Sequence, residues 1–189
     1  MDIFSNKKIF SGAIWSGIEK FGSQSLMLIF GILIARELDP NDYGLFGIAS
    51  VVLGIALILS DGGLSTALVQ KKDRIKEDFN SVFFFNIFAA TVIYILIFLF
   101  APKIAIFFND TSLTSVIRIL GIAILITALS SIHIAIIQIE LNFRLQSFTS
   151  FISVIFSGLL GLFLAHSGFG VWALVVMHVI RSFLLTILL

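Results

Sequence analysis

The chain has no cysteine and only three histidines among its 189 residues. The absence of cysteine excludes a disulfide framework, a thiolate metal site and a cysteine nucleophile. His166 and His178 stand too far from each other, and from any acidic partner, to predict a metal site. No loop gathers a general base with metal ligands or a nucleophile, so we predict no catalytic residue.

Charged residues are also scarce. They make up 12% of the chain, against 59% hydrophobic residues, whereas soluble domains have about 25% charged and roughly 45–50% apolar residues. This composition is typical of a membrane protein embedded in the lipid bilayer. The net charge is +1, and no basic face interleaved with aromatic residues is present, so nucleic acid is not expected as a partner.

Long apolar segments recur through the sequence. A membrane-spanning helix needs about 20 mostly apolar residues, and runs such as Val92 to Phe100 do not show the alternation of barrel strands. The sequence therefore predicts an all-α polytopic membrane protein with six helices. The predicted spans are Ile14 to Ile34, Gly44 to Leu68, Phe79 to Ala101, Leu113 to Ile137, Phe148 to Ala165, and Val171 to Leu189.

The loops predict the orientation, because lysine and arginine are retained on the cytoplasmic side during insertion. A cytoplasmic N-terminus places seven basic residues inside and three outside, and the opposite orientation inverts that ratio. We therefore predict a multi-pass protein with its N-terminus in the cytoplasm. The inside set is Lys7, Lys8, Lys71, Lys72, Arg74, Lys76 and Arg144, and the outside set is Arg36, Lys103 and Arg118.

The first predicted helix carries a polar stripe. Gly12, Ser16, Glu19, Lys20 and Ser23 recur at spacings of three and four residues, which places them on one helix face. A charge at the centre of a membrane helix costs about 2.5–3.5 kcal/mol on insertion scales, so this face should avoid lipid. The stripe is interpreted as lining a hydrated cavity, with snorkelling or a structural pairing to a neighbouring helix as the alternatives.

Asp61 is a second acidic residue within a predicted span. Gly62 and Gly63 follow it, and paired glycines permit a bend or a close helix contact. An interfacial carboxylate at a helix end is the favoured interpretation, and a cation or proton site is the alternative. Asn86, in the third span, is interpreted as a polar helix contact.

Three segments of the sequence resemble a known family. They are SGAIWSGIEKFGSQSLMLIFGILIARELDPNDYGLFGIASVV (Ser11 to Val52), SDGGLSTALVQKKD (Ser60 to Asp73) and GFGVWALV (Gly168 to Val175). They are similar to the polysaccharide exporter branch of the MOP superfamily, the Wzx-type and teichuronic-acid-type lipid-linked oligosaccharide flippases. The resemblance implies two lobes of six or more helices around a central cavity. Residues 1–189 would form the N-terminal lobe, with the C-terminal lobe missing.

The resemblance also implies a role for the polar stripe. A bacterial inner-membrane flippase of this kind moves a polyprenyl-diphosphate-linked oligosaccharide by alternating access. Lys20 would contact the diphosphate, Glu19 would tune Lys20, and hydrogen bonds to the sugar would come from Ser16, Ser23 and Gln24. No cofactor is expected, although H⁺ or Na⁺ coupling is open.

Two other functions remain open. A drug or cation antiporter of the same superfamily would share the fold and use an intramembrane acid, Asp61 or Glu19, to bind a proton or sodium ion. A membrane-embedded transferase would need a general base or a metal cluster in a loop. A cationic cavity would favour the flippase over the antiporter, and an acidic cavity would favour the reverse.

Overall fold

The computed structural model describes the backbone from residue 3 to residue 189 and the side chains from residue 15 onward. Lys7 and Lys8, which contribute to the predicted orientation, lie outside the described side chains. Every regular element between residues 3 and 189 is an α-helix. The helices are α1 (Ile3–Ala35), α2 (Pro40–Asp61), α3 (Leu64–Gln70), α4 (Lys76–Phe107), α5 (Ser112–Ile139), α6 (Phe143–His166) and α7 (Val171–Leu188).

Six of these helices are long and apolar enough to cross a membrane, namely all except α3. The prediction of an all-α polytopic membrane protein with six membrane helices is therefore confirmed. Exposed aromatic residues such as Phe84, Phe88, Phe156 and Phe163 cover the outer surface. They need no protein partner, because lipid tails are as apolar as they are.

The structure corrects the second predicted span, Gly44 to Leu68, which is not one helix. The first helix in this region, α2, begins at Pro40, earlier than predicted, and ends at Asp61. Gly62 and Gly63 follow with φ of 53° and 78°, a left-handed conformation that glycine adopts without steric cost. The short α3 continues from Leu64. The apolar composition alone gave no sign of this interruption. The fifth predicted span is also longer than expected, since α6 begins at Phe143.

The helices pack in an order that differs from their order in the sequence. The first helix packs against α6, α6 against α7, and α7 against α5, which also contacts α2 and α4. The central helix α5 is the most buried, with Leu113, Val116, Leu120 and Ile124 completely enclosed. The N-terminal helix is therefore fixed to the bundle chiefly through α6 and lies at its edge.

Small residues make the contact between α1 and α6. A Cβ at Gly158 would overlap the ring of Phe30, and one at Gly22 would lie 2.5 Å from the ring of Phe151. Because there is no water to expel between helices in lipid, close backbone approach and hydrogen bonds hold them together. The hydroxyl of Ser23 on α1 and that of Ser150 on α6 form one such bond, at 3.0 Å.

Two of the segments that carry the family resemblance meet at one end of the bundle. Gly170, before α7, has φ of 55°, and a Cβ there would lie 2.8 Å from the carboxylate of Asp42 in the first turn of α2. Glu37, in the loop before α2, lies 3.6 Å from His166, the last residue of α6 before the loop to α7. The DPNDYG and GFGVW segments therefore form one structural unit that joins these loops.

Candidate functional site

The polar stripe of α1 lines a pocket of about 420 Å³, which we call the α1–α7 pocket. Four of the five residues predicted to bind substrate take part in it, and Ser16 lies outside its lining. Two further residues complete the wall, and one of them, Arg181, comes from α7. The lining consists of Glu19, Lys20, Phe21, Ser23, Gln24 and Arg181.

The predicted residues differ in what they offer to a ligand. Lys20 and Gln24 are exposed and Glu19 is half-buried. Ser23 is only 5% exposed, and its hydroxyl lies 3.0 Å from that of Ser150 on α6. Because its hydroxyl is engaged in this hydrogen bond between α1 and α6, Ser23 is not free to bind a ligand. The groups available to a ligand are therefore the ammonium of Lys20, the carboxylate of Glu19 and the amide of Gln24.

Arg181 was not singled out in the sequence. It lies ten residues after Val171, or about 15 Å along α7 at 1.5 Å per residue, which is near the middle of a bilayer. Its position in the sequence could have indicated its role, because a charged residue inside a membrane span is by default functional. Sequence spacing on α1 could not reveal that α7 would bring a second cation to the same pocket.

The guanidinium of Arg181 is poorly satisfied. One terminal NH₂ donates to the sulfur of Met27 at 2.8 Å, and a thioether is a weak acceptor. Its Nε is buried and has no hydrogen-bond partner among the described residues. Burying a charged donor without an acceptor is costly. The arginine therefore remains able to bind an anionic group that enters the pocket.

The charges in the α1–α7 pocket are not paired into salt bridges. From residue 15 to residue 189 the salt bridges are Lys71 with Asp78 at 2.6 Å and Glu37 with His166 at 3.6 Å. Two cations and one carboxylate thus line one cavity without an ion pair among those side chains. The net charge of the pocket is positive, and its donors suit phosphate or carboxylate oxygens.

A second polar pocket, of about 270 Å³, lies between α2, α3, α4 and α5. We call it the Asp61 pocket. Asp61 accepts a hydrogen bond from Ser65 and lies 3.5 Å from the side-chain nitrogen of Asn86. The expectation that Asn86 is a polar helix contact is confirmed, since it links α4 to α3 and, at 3.1 Å, to Ser131 on α5. Asp61 is both a helix-end residue and a pocket residue.

Comparison with known proteins agrees with the resemblance seen in the sequence. A family described as polysaccharide biosynthesis protein matches residues 33–189. The match begins after Glu19 and Lys20, so their proposed roles rest on the geometry of the pocket. It includes Arg181 and the whole of the Asp61 pocket. No solved structure gives a significant match to the chain.

Three curated relatives are similar over most of the chain. The succinoglycan biosynthesis transport protein ExoT of Rhizobium meliloti is 27% identical over 85% of the chain and 32% of its own length. The lipopolysaccharide biosynthesis protein WzxC of Escherichia coli is 27% identical over 73% of the chain and 28% of its own length. The teichuronic acid biosynthesis protein TuaB of Bacillus subtilis is 26% identical over 75% of the chain and 29% of its own length.

The chain thus spans about a third of the length of the curated relatives that it matches. The family match, by contrast, covers α2 to α7 and the last three residues of α1. Because it covers residues 33–189, the chain belongs to the polysaccharide biosynthesis protein family, within its polysaccharide exporter branch.

Proposed function

We propose that this chain is one lobe of a transporter that flips a lipid-linked oligosaccharide across the bacterial cytoplasmic membrane. The observation that carries the proposal is the positive α1–α7 pocket, in which Lys20 and Arg181 face a cavity at membrane depth. The names of the relatives support it, since they describe transport or biosynthesis of succinoglycan, lipopolysaccharide and teichuronic acid. The proposed activity is transport, and no covalent step is assigned to the chain.

The proposed substrate has three chemically different parts, and the lobe offers each a matching environment. The polyprenyl tail stays in the bilayer, beside the exposed apolar surface of α1. The diphosphate binds the ammonium of Lys20 and the guanidinium of Arg181, two donors that suit phosphate oxygens. Sugar hydroxyls then contact Gln24 and Ser16, while Ser23 would have to release Ser150 to take part.

Glu19 partly offsets the positive charge of the pocket without pairing with either cation. Its carboxylate lines the same cavity, and its charge acts on Arg181. A diphosphate that enters the pocket meets two cations that are not engaged in ion pairs, and Glu19 accepts hydrogen bonds from sugar hydroxyls. A second lobe would close the other side of the pocket, and rocking of the two lobes would expose it alternately to each side.

The antiporter remains the second candidate, because Asp61 supplies an intramembrane carboxylate. It does so in a separate pocket, whereas the pocket facing the edge of the lobe at α1 is cationic. A drug antiporter that exports cations would not place two unpaired cations along its substrate path. The charge of the α1–α7 pocket therefore favours an anionic lipid-linked substrate.

The proposed orientation can be tested with single cysteines, because the native chain has none. Cysteines at the exposed positions Asn41, Asn109 and Ser167 are expected to react with an impermeant thiol reagent in intact cells. Cysteines at Asp73 and Asn142, also exposed, should react only after the cells are permeabilised. Labelling of Asp73 in intact cells would contradict a cytoplasmic N-terminus.

Export can be tested with Lys20→Ala in a transporter that contains this segment together with a second lobe. Complementation of a flippase-deficient strain measures the surface glycan. We expect export to fall about tenfold or more, because a hydrogen bond to a charged group contributes about 1.5–3 kcal/mol. Lys20→Arg should be milder, since it keeps the charge but changes the donor geometry.

The matched control for Lys20→Ala is Lys103→Ala, which removes an exposed lysine whose ammonium lies 5.2 Å from the ring of Phe100. This variant should export normally. Equal export by Lys20→Ala and Lys103→Ala at equal protein levels would refute the assignment of Lys20 to the substrate.

A further inference from the structure

A third pocket, of about 430 Å³, lies between the start of α6 and Trp15 on α1. We call it the Trp15–Arg144 pocket. It shares no lining residue with the α1–α7 pocket or the Asp61 pocket, and its volume is in the range of small-molecule sites. The proposed contacts to the transported substrate therefore do not account for it. Its lining includes Trp15, Asn142, Arg144, Ser147, Phe148 and Phe151.

This pocket lies at the level where the helices leave the hydrocarbon core. Trp15 is the second residue of the predicted span Ile14 to Ile34, and Arg144 lies in the first turn of α6. From Arg144 to Ala165, near the other end of α6, the helix rises about 30 Å, which is the thickness of the hydrocarbon core. Arginine and tryptophan are typical residues of the membrane interface. The mouth of the pocket is therefore at the depth of the lipid headgroups.

The lining changes from polar to apolar with depth. Asn142 and Arg144 lie at the outer end, where α6 begins. Phe151 lies about two turns further along α6, and its ring packs on Gly22 of α1, where a Cβ would lie 2.5 Å from it. Phe148 is 66% exposed and borders the pocket on the lipid side. A molecule that fills this pocket needs a polar end and an apolar body, as a membrane lipid has.

Arg144 is the only charged residue in the described lining of the pocket. Its guanidinium carbon lies 5.7 Å from the centre of the Trp15 ring, a cation–π distance. The salt bridges formed from residue 15 to residue 189 involve other side chains. A guanidinium binds two phosphate oxygens side by side. The pocket therefore suits a ligand that brings one negative charge.

Asn142 adds a neutral donor beside this guanidinium. It is the N-cap residue of α6, but its side chain makes no capping hydrogen bond, and it is exposed. Ser147 cannot serve as a donor, because its hydroxyl donates its single proton to the carbonyl of Phe143 at 2.7 Å. The amide of Asn142 is therefore available to a phosphate oxygen or to a hydroxyl of a lipid headgroup.

We propose that the Trp15–Arg144 pocket binds an anionic phospholipid, with the phosphodiester on Arg144 and Asn142 and an acyl chain along Phe148 and Phe151. One arginine balances the single negative charge of a phosphodiester, whereas a diphosphate would bring uncompensated charge. Basic pockets between membrane helices on the cytoplasmic side bind anionic headgroups, and the proposed orientation places Arg144 on that side. The site goes beyond the proposed substrate pocket, and the bound lipid bridges α1 and α6.

The test uses the fluorescence of Trp15 as its reporter. The chain has two tryptophans, so the variant Trp172→Phe keeps Trp15 alone. This variant is purified and reconstituted in phosphatidylcholine bilayers that contain phosphatidylglycerol brominated on its acyl chains near the headgroup, because bromine quenches tryptophan at short range. Brominated phosphatidylcholine gives the non-specific level. We expect phosphatidylglycerol to bind beside Trp15 about fivefold more tightly than phosphatidylcholine, the effect of one basic residue near a membrane surface.

Substitutions in the same background assign this preference to the pocket. Arg144→Gln should abolish it, because a neutral amide does not balance the phosphodiester. Arg144→Lys should keep part of it, since the charge remains but the fork of donors is lost. The matched control is Lys72→Gln, which removes an exposed lysine between α3 and α4 and should leave the preference unchanged. The preference should also persist at about 1 M salt, because a contact in a pocket is screened much less than attraction to a charged surface.

Three results would overturn the lipid site. Equal quenching of Trp15 by the two brominated lipids would show that the pocket does not select a headgroup. A preference that survives Arg144→Gln, or that Lys72→Gln removes equally, would reduce it to general attraction by basic residues. Displacement of brominated phosphatidylglycerol by an equimolar amount of polyprenyl diphosphate would make the pocket a substrate site instead. Since no arm measures export, the absence of a lipid site leaves the flippase proposal intact, and loss of the flippase proposal leaves the binding result intact.

Discussion

Replacing Gly158 by alanine is expected to lower the free energy of unfolding by about 1–3 kcal/mol, the usual cost of overpacking a close contact. The added Cβ would overlap three ring atoms of Phe30, including the ring carbon bonded to the Cβ of Phe30. The base of a ring cannot move aside without moving the helix. Because α1 is held to the bundle mainly by α6, Gly158→Leu should release α1 altogether.

The measurement is thermal or denaturant unfolding of the purified chain in detergent, and the control is Gly54→Ala. A Cβ at Gly54 on α2 meets nothing within 4 Å, so this variant should be neutral or slightly stabilised by the better helix propensity of alanine. The double variant Gly158→Ala with Phe30→Leu should regain part of the loss. Equal stability of Gly158→Ala and Gly54→Ala would mean that α1 does not pack here.

Replacing Arg181 by methionine is expected to have opposite effects on stability and on export. Arg181 is half-buried, its Nε is buried without an acceptor, and a thioether is the acceptor of one NH₂ group, so an apolar side chain of similar length removes a desolvation cost. The free energy of unfolding should stay equal or rise. Export by the two-lobed transporter should fall by at least as much as with Lys20→Ala, because the more deeply buried of the two cations is lost. Functional sites often sacrifice stability in this way.

The pair of measurements separates a substrate contact from a structural one. Arg36→Met, which removes an exposed arginine after the last turn of α1, is the matched control and should change neither quantity. Arg181→Lys should retain part of the export, since it keeps a positive charge but loses the planar fork of donors. A destabilised Arg181→Met protein that still exports normally would show that the arginine serves packing against Met27.

The charged residues at the site were only partly predictable. Glu19 and Lys20 were found because a helix repeats every 3.6 residues, so the stripe on α1 defines one face without any knowledge of other helices. Arg181 and its contact with Met27 were not predicted, because the tertiary structure decides which helix lies opposite that face. Ser23 shows the same limit, because its hydroxyl meets Ser150, a residue 127 positions away.

The sequence by itself determined that this protein is a bundle of six membrane helices. Each apolar run must leave water, and each spanning backbone must satisfy its own hydrogen bonds as a helix, so length and composition are sufficient. The paired glycines after Asp61 already permitted a bend there, but only the tertiary structure decided the pairing of α1 with α6 and the position of Arg181 in the same pocket as Lys20. In lipid no hydrophobic force selects helix neighbours, and the choice depends on small-residue contacts and scattered hydrogen bonds that become recognisable only when the helices are assembled.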